Sequence, residues 1–318
     1  MAASHYAGAD AGFIDYQVFE HPSGLVLRGP APGSLPAGGY IAFAGAAQTF
    51  GRYCERPFPT IVGDELGVPV LNLGVGGAGP AHFLDPRLLD LLNGSRFAVL
   101  QVMSARGEGN SRMTTTGNRF VRVEGGGAPV SAERAWGPIV ASEPPAVIHR
   151  LIAETRQSWV ESYSALLQAL SVPVVLLYVS KRTPDYREQV NPGRRLRAVW
   201  GQFPHLVNRA MIDALRPQVV SYVECVSRRG LPQPIWDRST GGPLPGGRTY
   251  NTYYPSPEMH EDVAGLLGPV CRVLWRGETP PAVVQSGYQQ PRGRVLRRVR
   301  TMLRRLRRRL GRLRARLR

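Results

Sequence analysis

Five apolar runs of strand length, at residues 40–44, 68–73, 97–103, 172–179 and 219–223, alternate with segments of helical spacing, and this alternation restricts the chain more than any other feature. The helical segments are 57–66, 85–92, 147–170 and 204–215, with a last helix expected from about Pro257 to Trp275. A strand–helix repeat implies a parallel sheet covered on both faces. The expected fold is an α/β protein: a three-layer α/β/α sandwich with a five-stranded parallel sheet of flavodoxin-like type. Its ligand sites should lie beyond the carboxyl ends of the strands.

The domain plan follows from what interrupts the repeat. Residues 1–39, with Pro30, Pro32, Gly33 and Pro36, read as an extended lead-in, 40–276 as the α/β domain, 277–291 as a linker and 292–318 as a separate helix. Two stretches, 105–143 and 225–256, are too long for ordinary connections and follow strands, so they are expected as lids or substrate loops on one rim. No apolar run is long enough for a membrane span, and the start of the chain lacks the basic and apolar regions of a secretory signal. The expected location is cytoplasmic, peripheral at the inner face of the membrane. Cys54, Cys225 and Cys271 are scattered and odd in number, which suits reduced buried thiols.

The first strand leads into YIAFAGAAQTFG, residues 40–51, in which Gly45 permits a sharp turn at the strand end. Gly45, Ala47, Thr49 and Gly51 stand at the spacing of the GDSxTxG block, and the segment resembles the GDSL/SGNH hydrolases in that respect. Ala46 and Ala47 occupy the places of the Asp and the nucleophilic Ser. An alanine methyl cannot attack a carbonyl. The resemblance extends to NLGVGG, residues 72–77, where Gly77 matches the glycine whose N–H faces the oxyanion, and to PSPEMH, residues 255–260, where His260 matches the histidine of the DxxH block. Pro257 replaces the aspartate of that block, and Glu258 is the nearest acid. After the third strand the chain reads MSARGEGNS, residues 103–111; Asn110 falls several residues later than the GxND block requires and Arg106 sits nearer the expected place.

The resemblance implies candidate catalytic residues His260, Thr49, Ser104 and Glu258, and candidate binding residues Ala47, Gly77, Asn72, Arg106 and Asn110. Thr49 and Ser104 are the hydroxyls expected on the rim. His260 deprotonating an acceptor hydroxyl would give transfer without an enzyme nucleophile. No cofactor and no metal are expected: GVGGAG at 74–79 is out of register with GxGxxG, no P-loop is present, and no two histidines have metal-ligand spacing.

A second likeness covers more of the chain. RGP (28–30), GxxxTFGRxxxRPFP (45–59), the segment 72–86, QVMS (101–104), NRAMIDALRP (208–217) and the terminal His block are together similar to a bacterial family catalogued as domain of unknown function 6473. That likeness implies one long domain, about residues 10–275, and no mechanism. Members carry Thr at the position of Ala47.

The net charge of +17 belongs mostly to the end of the chain, where residues 292–318 hold fourteen arginines and no acid. Leu296, Val299, Leu303, Leu306, Leu310, Leu313 and Leu317 recur at spacings of three and four, as one stripe of a helix. Leucines on one side with arginines spread to the flanks match an interfacial helix on an anionic membrane. Nucleic acid or an acidic protein is the competing partner, although the tail carries no aromatic residue to stack on bases. Two functions follow: an SGNH-like protein lacking the nucleophilic Ser, which binds or modifies an acylated or glycosylated small molecule near a membrane, or a non-catalytic scaffold whose tail contacts nucleic acid or an acidic partner. If active, it would be hydrolase- or transferase-like.

Overall fold

The computed structural model describes residues 2–190 and 195–286. The expected amphipathic helix at 292–318 lies outside the described residues. The central sheet is parallel and has six strands: β1 (Ile41–Gly45), β2 (Val70–Gly74), β3 (Phe97–Gln101), β4 (Val174–Ser180), β5 (Ser221–Val226) and β6 (Val283–Gln285). Their order across the sheet is β6-β5-β4-β3-β1-β2, with Phe43 opposite Asn72 and Val99. Five of these strands correspond to the apolar runs. The sixth corrects the expected count: it lies in the stretch read as linker, and its three residues, pairing Tyr222 with Val283, are too few to show a period.

Alternation along each strand builds two cores. Ile41 and Phe43 face helices α1 (Phe58–Leu66) and α6 (Pro257–Trp275), whereas Ala42 and Ala44 face α2 (Pro86–Asn93), α4 (Pro145–Ala169) and α5 (Arg209–Leu215). The helix α3 (Ala132–Ser142) packs on the second side through Trp136. Trp159 and Tyr163 of α4 belong to the same buried cluster as Ala42 and Ala44; the indole Nε1 donates to Met103 O at 3.1 Å and the phenol to Gln101 O at 2.6 Å. Helix signals hold at the ends: Asp85 caps α2, Ser256 caps α6 by accepting from Met259 N, and Pro occupies the first position of both. Residues 204–208, expected as the start of α5, are not helical; that helix begins after Asn208, whose side chain accepts from Met211 N.

The N-terminal segment contains a helix, Ala2–Asp10, and a short antiparallel pair, Phe19–Glu20 with Val26–Leu27, rather than extended chain alone. No amphipathic period marks that helix. It is held instead by Asp10, which is buried and bonded to Arg52. The three cysteines are buried and free, and burial pushes the thiols of Cys54 and Cys225 up to about 12. No helix among the described residues is long and apolar enough to cross a membrane.

Candidate functional site

Beyond the carboxyl ends of β1, β2 and β3, three loops enclose a cleft with a cavity volume of about 70 Å³, room for a few waters or the reacting end of a ligand. The β1 loop contributes Ala46, Ala47 and Gln48, the β2 loop Gly76 to Gly79, and the β3 loop Ser104, Arg106 and Glu108. The two long insertions reach the same place. Residues 113–131 form a three-stranded antiparallel sheet that presents Asn118 and Arg119, and residues after the pair Gln233–Pro234 and Tyr250–Asn251 present Tyr253 and Tyr254.

The β1 loop owes its shape to one side chain. Gln101 Oε1, at the end of β3, accepts from Ala46 N (3.0 Å), Thr49 N (3.1 Å) and Thr49 Oγ1 (2.7 Å). Asn72 completes the support, donating to Thr49 O and accepting from Gly74 N. Thr49 and Asn72 therefore hold the turn 47–50 from beneath, with Thr49 only 1% exposed. Gly77, at φ +83°, takes a conformation that few other residues adopt, and the Arg119 side chain lies against it.

Of the residues singled out in the sequence, Ala47, Gly77, Ser104 and Arg106 line the cleft together. His260 does not. It is fully buried, stacked on the Phe58 ring at 5.7 Å, and its Nδ1 accepts from Phe58 N at 3.1 Å. With Nδ1 accepting, the neutral ring carries its proton on Nε2, which has no partner. Burial, with the nearby Arg28 charge, lowers the imidazole to about 3. Glu258 packs against Gly230 and makes no bond to His260, and Asn110 donates to Thr155 Oγ1. Thr49, Asn72, Glu258, Asn110 and His260 are thus outside the cleft lining.

Ser104 has a different histidine. Its Oγ lies 3.1 Å from His205 Nδ1, a distance suited to a nucleophile and its base. The electrostatics oppose that use. Burial, then Arg106, Arg182 and Arg197, hold His205 well below the ordinary imidazole range, so the ring resists the charge a base must accept. A triad places an acid beside the imidazole; here the surrounding charges are positive.

Glu108 is the carboxyl of the cleft lining, and its acidity is perturbed. It is 1% exposed, its Oε2 accepts from Ser162 Oγ at 2.9 Å, and burial raises its carboxyl from 4.5 to about 7. Arg106 is tied to Glu133 at 2.7 Å, whereas Arg119 has no acid within ion-pair distance among the described residues. The cleft therefore combines a buried carboxyl raised to about 7 with a guanidinium that lies over the Phe120 ring and a glycine-rich wall. A groove of about 720 Å³ adjoins it, sharing Tyr6, Gly76, Arg119 and Tyr254 and lined by Leu25, Val26, Leu27, Val75 and Leu88 together with the polar Arg52, His82, Asp85 and Arg87. The described residues hold no cluster of His, Cys, Asp and Glu able to bind a metal.

Glu108 was open to detection in the sequence, as a lone acid between glycines in a strand-end loop. His205, Arg119 and Tyr253 were not, because long insertions deliver them and nothing local signals their destination. The chain matches a family described as a domain of unknown function (DUF6473) over residues 4–123 and 141–275, segments that include every residue lining the cleft. No curated protein matches it.

Proposed function

The chain belongs to the DUF6473 family, a description that names no reaction, and from that premise we propose that it is an SGNH-like protein that binds and modifies an acylated or glycosylated small molecule without a serine nucleophile. The observation that carries this reading is Glu108, a buried carboxyl with its acidity near 7 in the cleft lining. Such a group takes a proton from an acceptor hydroxyl and returns it to a leaving oxygen at neutral pH. Arg119 and the backbone of Gly76 and Gly77 supply positive surroundings for an oxyanion, and the apolar side chains Leu25, Val26, Val75 and Leu88 of the adjoining groove suit an acyl chain.

Two probes test the reading. Aryl acetates should show no turnover above the buffer rate, and a fluorophosphonate should label neither Ser104 nor Thr49. Octanoyl glucose should perturb the carboxyl carbon resonance of Glu108 and bind more weakly to Arg119→Ala. Labelled Ser104, or octanoyl glucose that leaves Glu108 unmoved, would refute it. The second reading, a non-catalytic binding protein, draws support from the small free volume of about 70 Å³ beneath Tyr6. Binding of octanoyl glucose without any product in the presence of sugar acceptors would favour it.

The membrane part of the proposal rests on residues 292–318. Fourteen arginines there, each contributing about 1 kcal/mol near an anionic leaflet, should hold the full chain on vesicles containing phosphatidylserine and release it from neutral ones. Co-sedimentation of the full chain against a form ending at Gln290 checks this. Equal pelleting of the two forms, or tighter binding to nucleic acid than to anionic lipid at physiological salt, would assign the tail another partner.

A further inference from the structure

A second cavity, of about 390 Å³, opens beside the cleft and shares Arg106, Phe203 and Tyr253 with it. Its described lining holds three cations, Arg106, Lys181 and Arg197, and one acid, Glu133. Glu133 is already bonded to Arg106. Lys181 Nζ donates only to Thr252 O, at 2.6 Å, and Arg197 has no acid within ion-pair distance among the described residues. The positive charges act on one another: burial, Arg228 and Arg197 lower the Lys181 ammonium, and Arg106, Arg182 and Arg197 add to burial in lowering His205.

Like charges gathered in one concavity repel, and a bound anion relieves that repulsion. Trp200, 3% exposed, and Tyr253 add aromatic side chains to the lining.

We propose that this cavity binds the phosphate of a small phosphorylated molecule, held by Lys181, Arg197 and Arg106. Two cations in excess of the single acid match a dianion, and the volume fits a phosphoryl group with part of its carrier. The carrier extends past Arg106 and Tyr253 toward Glu108; that extension rests on the proposed function, whereas the phosphate site does not.

The Arg-rich end of the chain also attracts phosphate, so the test needs a signal from the cavity itself. Imidazole resonances of His205 in the full chain, titrated with inorganic phosphate at neutral pH, provide it. The expected result is a saturable shift, with affinity at least about tenfold weaker in Arg197→Gln and in Lys181→Gln and unchanged in Glu108→Gln. Both charge variants alter partly or fully exposed side chains, and circular dichroism confirms their fold. Absence of a saturable shift, or equal affinity in the charge variants, overturns the proposal. So does an oligonucleotide that displaces phosphate from His205 more strongly than phenyl phosphate does. Phosphate binding with an inert Glu108 would leave this site standing and remove only the cleft chemistry.

Discussion

Asp10→Ala should destabilise the protein by about 3–5 kcal/mol, the cost of leaving a buried charge without its partner. Asp10 is fully buried and accepts from Arg52 Nε at 2.7 Å, Arg52 Nη2 at 2.9 Å and Tyr16 Oη at 3.0 Å, with Arg248 at 3.4 Å. The Arg52 guanidinium lies over the rings of Tyr6 (4.2 Å), Tyr53 (4.8 Å) and Tyr254 (5.1 Å), which stabilise a cation but offer no counter-charge. Without the carboxylate, Arg52 must either stay charged among these rings or leave them. Either outcome loosens the Ala2–Asp10 helix, and with it Tyr6, which lines the cleft. Asp10→Leu combined with Arg52→Met should recover most of the loss, because an apolar pair of similar volume removes both charges. Urea unfolding of the wild type and the two variants is the measurement, and a loss under about 1 kcal/mol for Asp10→Ala would show the pair to be dispensable.

Glu108→Gln should raise stability at alkaline pH and change it little in acid. The folded carboxyl has its pKa raised from 4.5 to about 7, so between those values the folded state binds more protons than the unfolded state. Stability therefore falls as pH rises through that window, and the penalty is complete above about 7. At pH 8 it amounts to about 3 kcal/mol; at pH 4 both states hold the proton and it vanishes. Glutamine stays neutral throughout and its amide oxygen can still accept from Ser162. The difference between wild type and variant, followed from pH 4 to pH 8, should open near pH 5 and level off beyond pH 7. Parallel curves would mean that Glu108 does not titrate in this range, and the proposed proton transfer would fall with it.

The β–α alternation was legible because it is local: strand-length apolar runs at 40–44, 68–73, 97–103, 172–179 and 219–223 each became a strand of one parallel sheet. The position of the cleft was legible for the same reason, since a parallel sheet puts every strand-to-helix turn on one rim, and Ala47, Gly77, Ser104 and Arg106 arrive there together. His260 shows where such reasoning stops. It begins α6 at the expected place in the chain, but in the first turn a shift of about 100° per residue decides whether a side chain meets the cleft or the core. Here Phe58 N–H and its ring claim the imidazole. Thr49 turns inward likewise, because Gln101, fifty-two residues away, takes its hydroxyl.

The layers, the strands that five apolar runs could form, the absence of a serine at position 47 and the concentration of positive charge in residues 292–318 are all readable along the chain. Which side chains share the cleft, the burial that drives Glu108 toward neutrality, and the meeting of Ser104 with His205 across one hundred and one residues of chain all come from the folding of distant segments together. Periodicity reports which face of an element is apolar and is readable over a few residues. Acidity and proximity depend on desolvation and on partners brought in by distant loops, which no local pattern encodes.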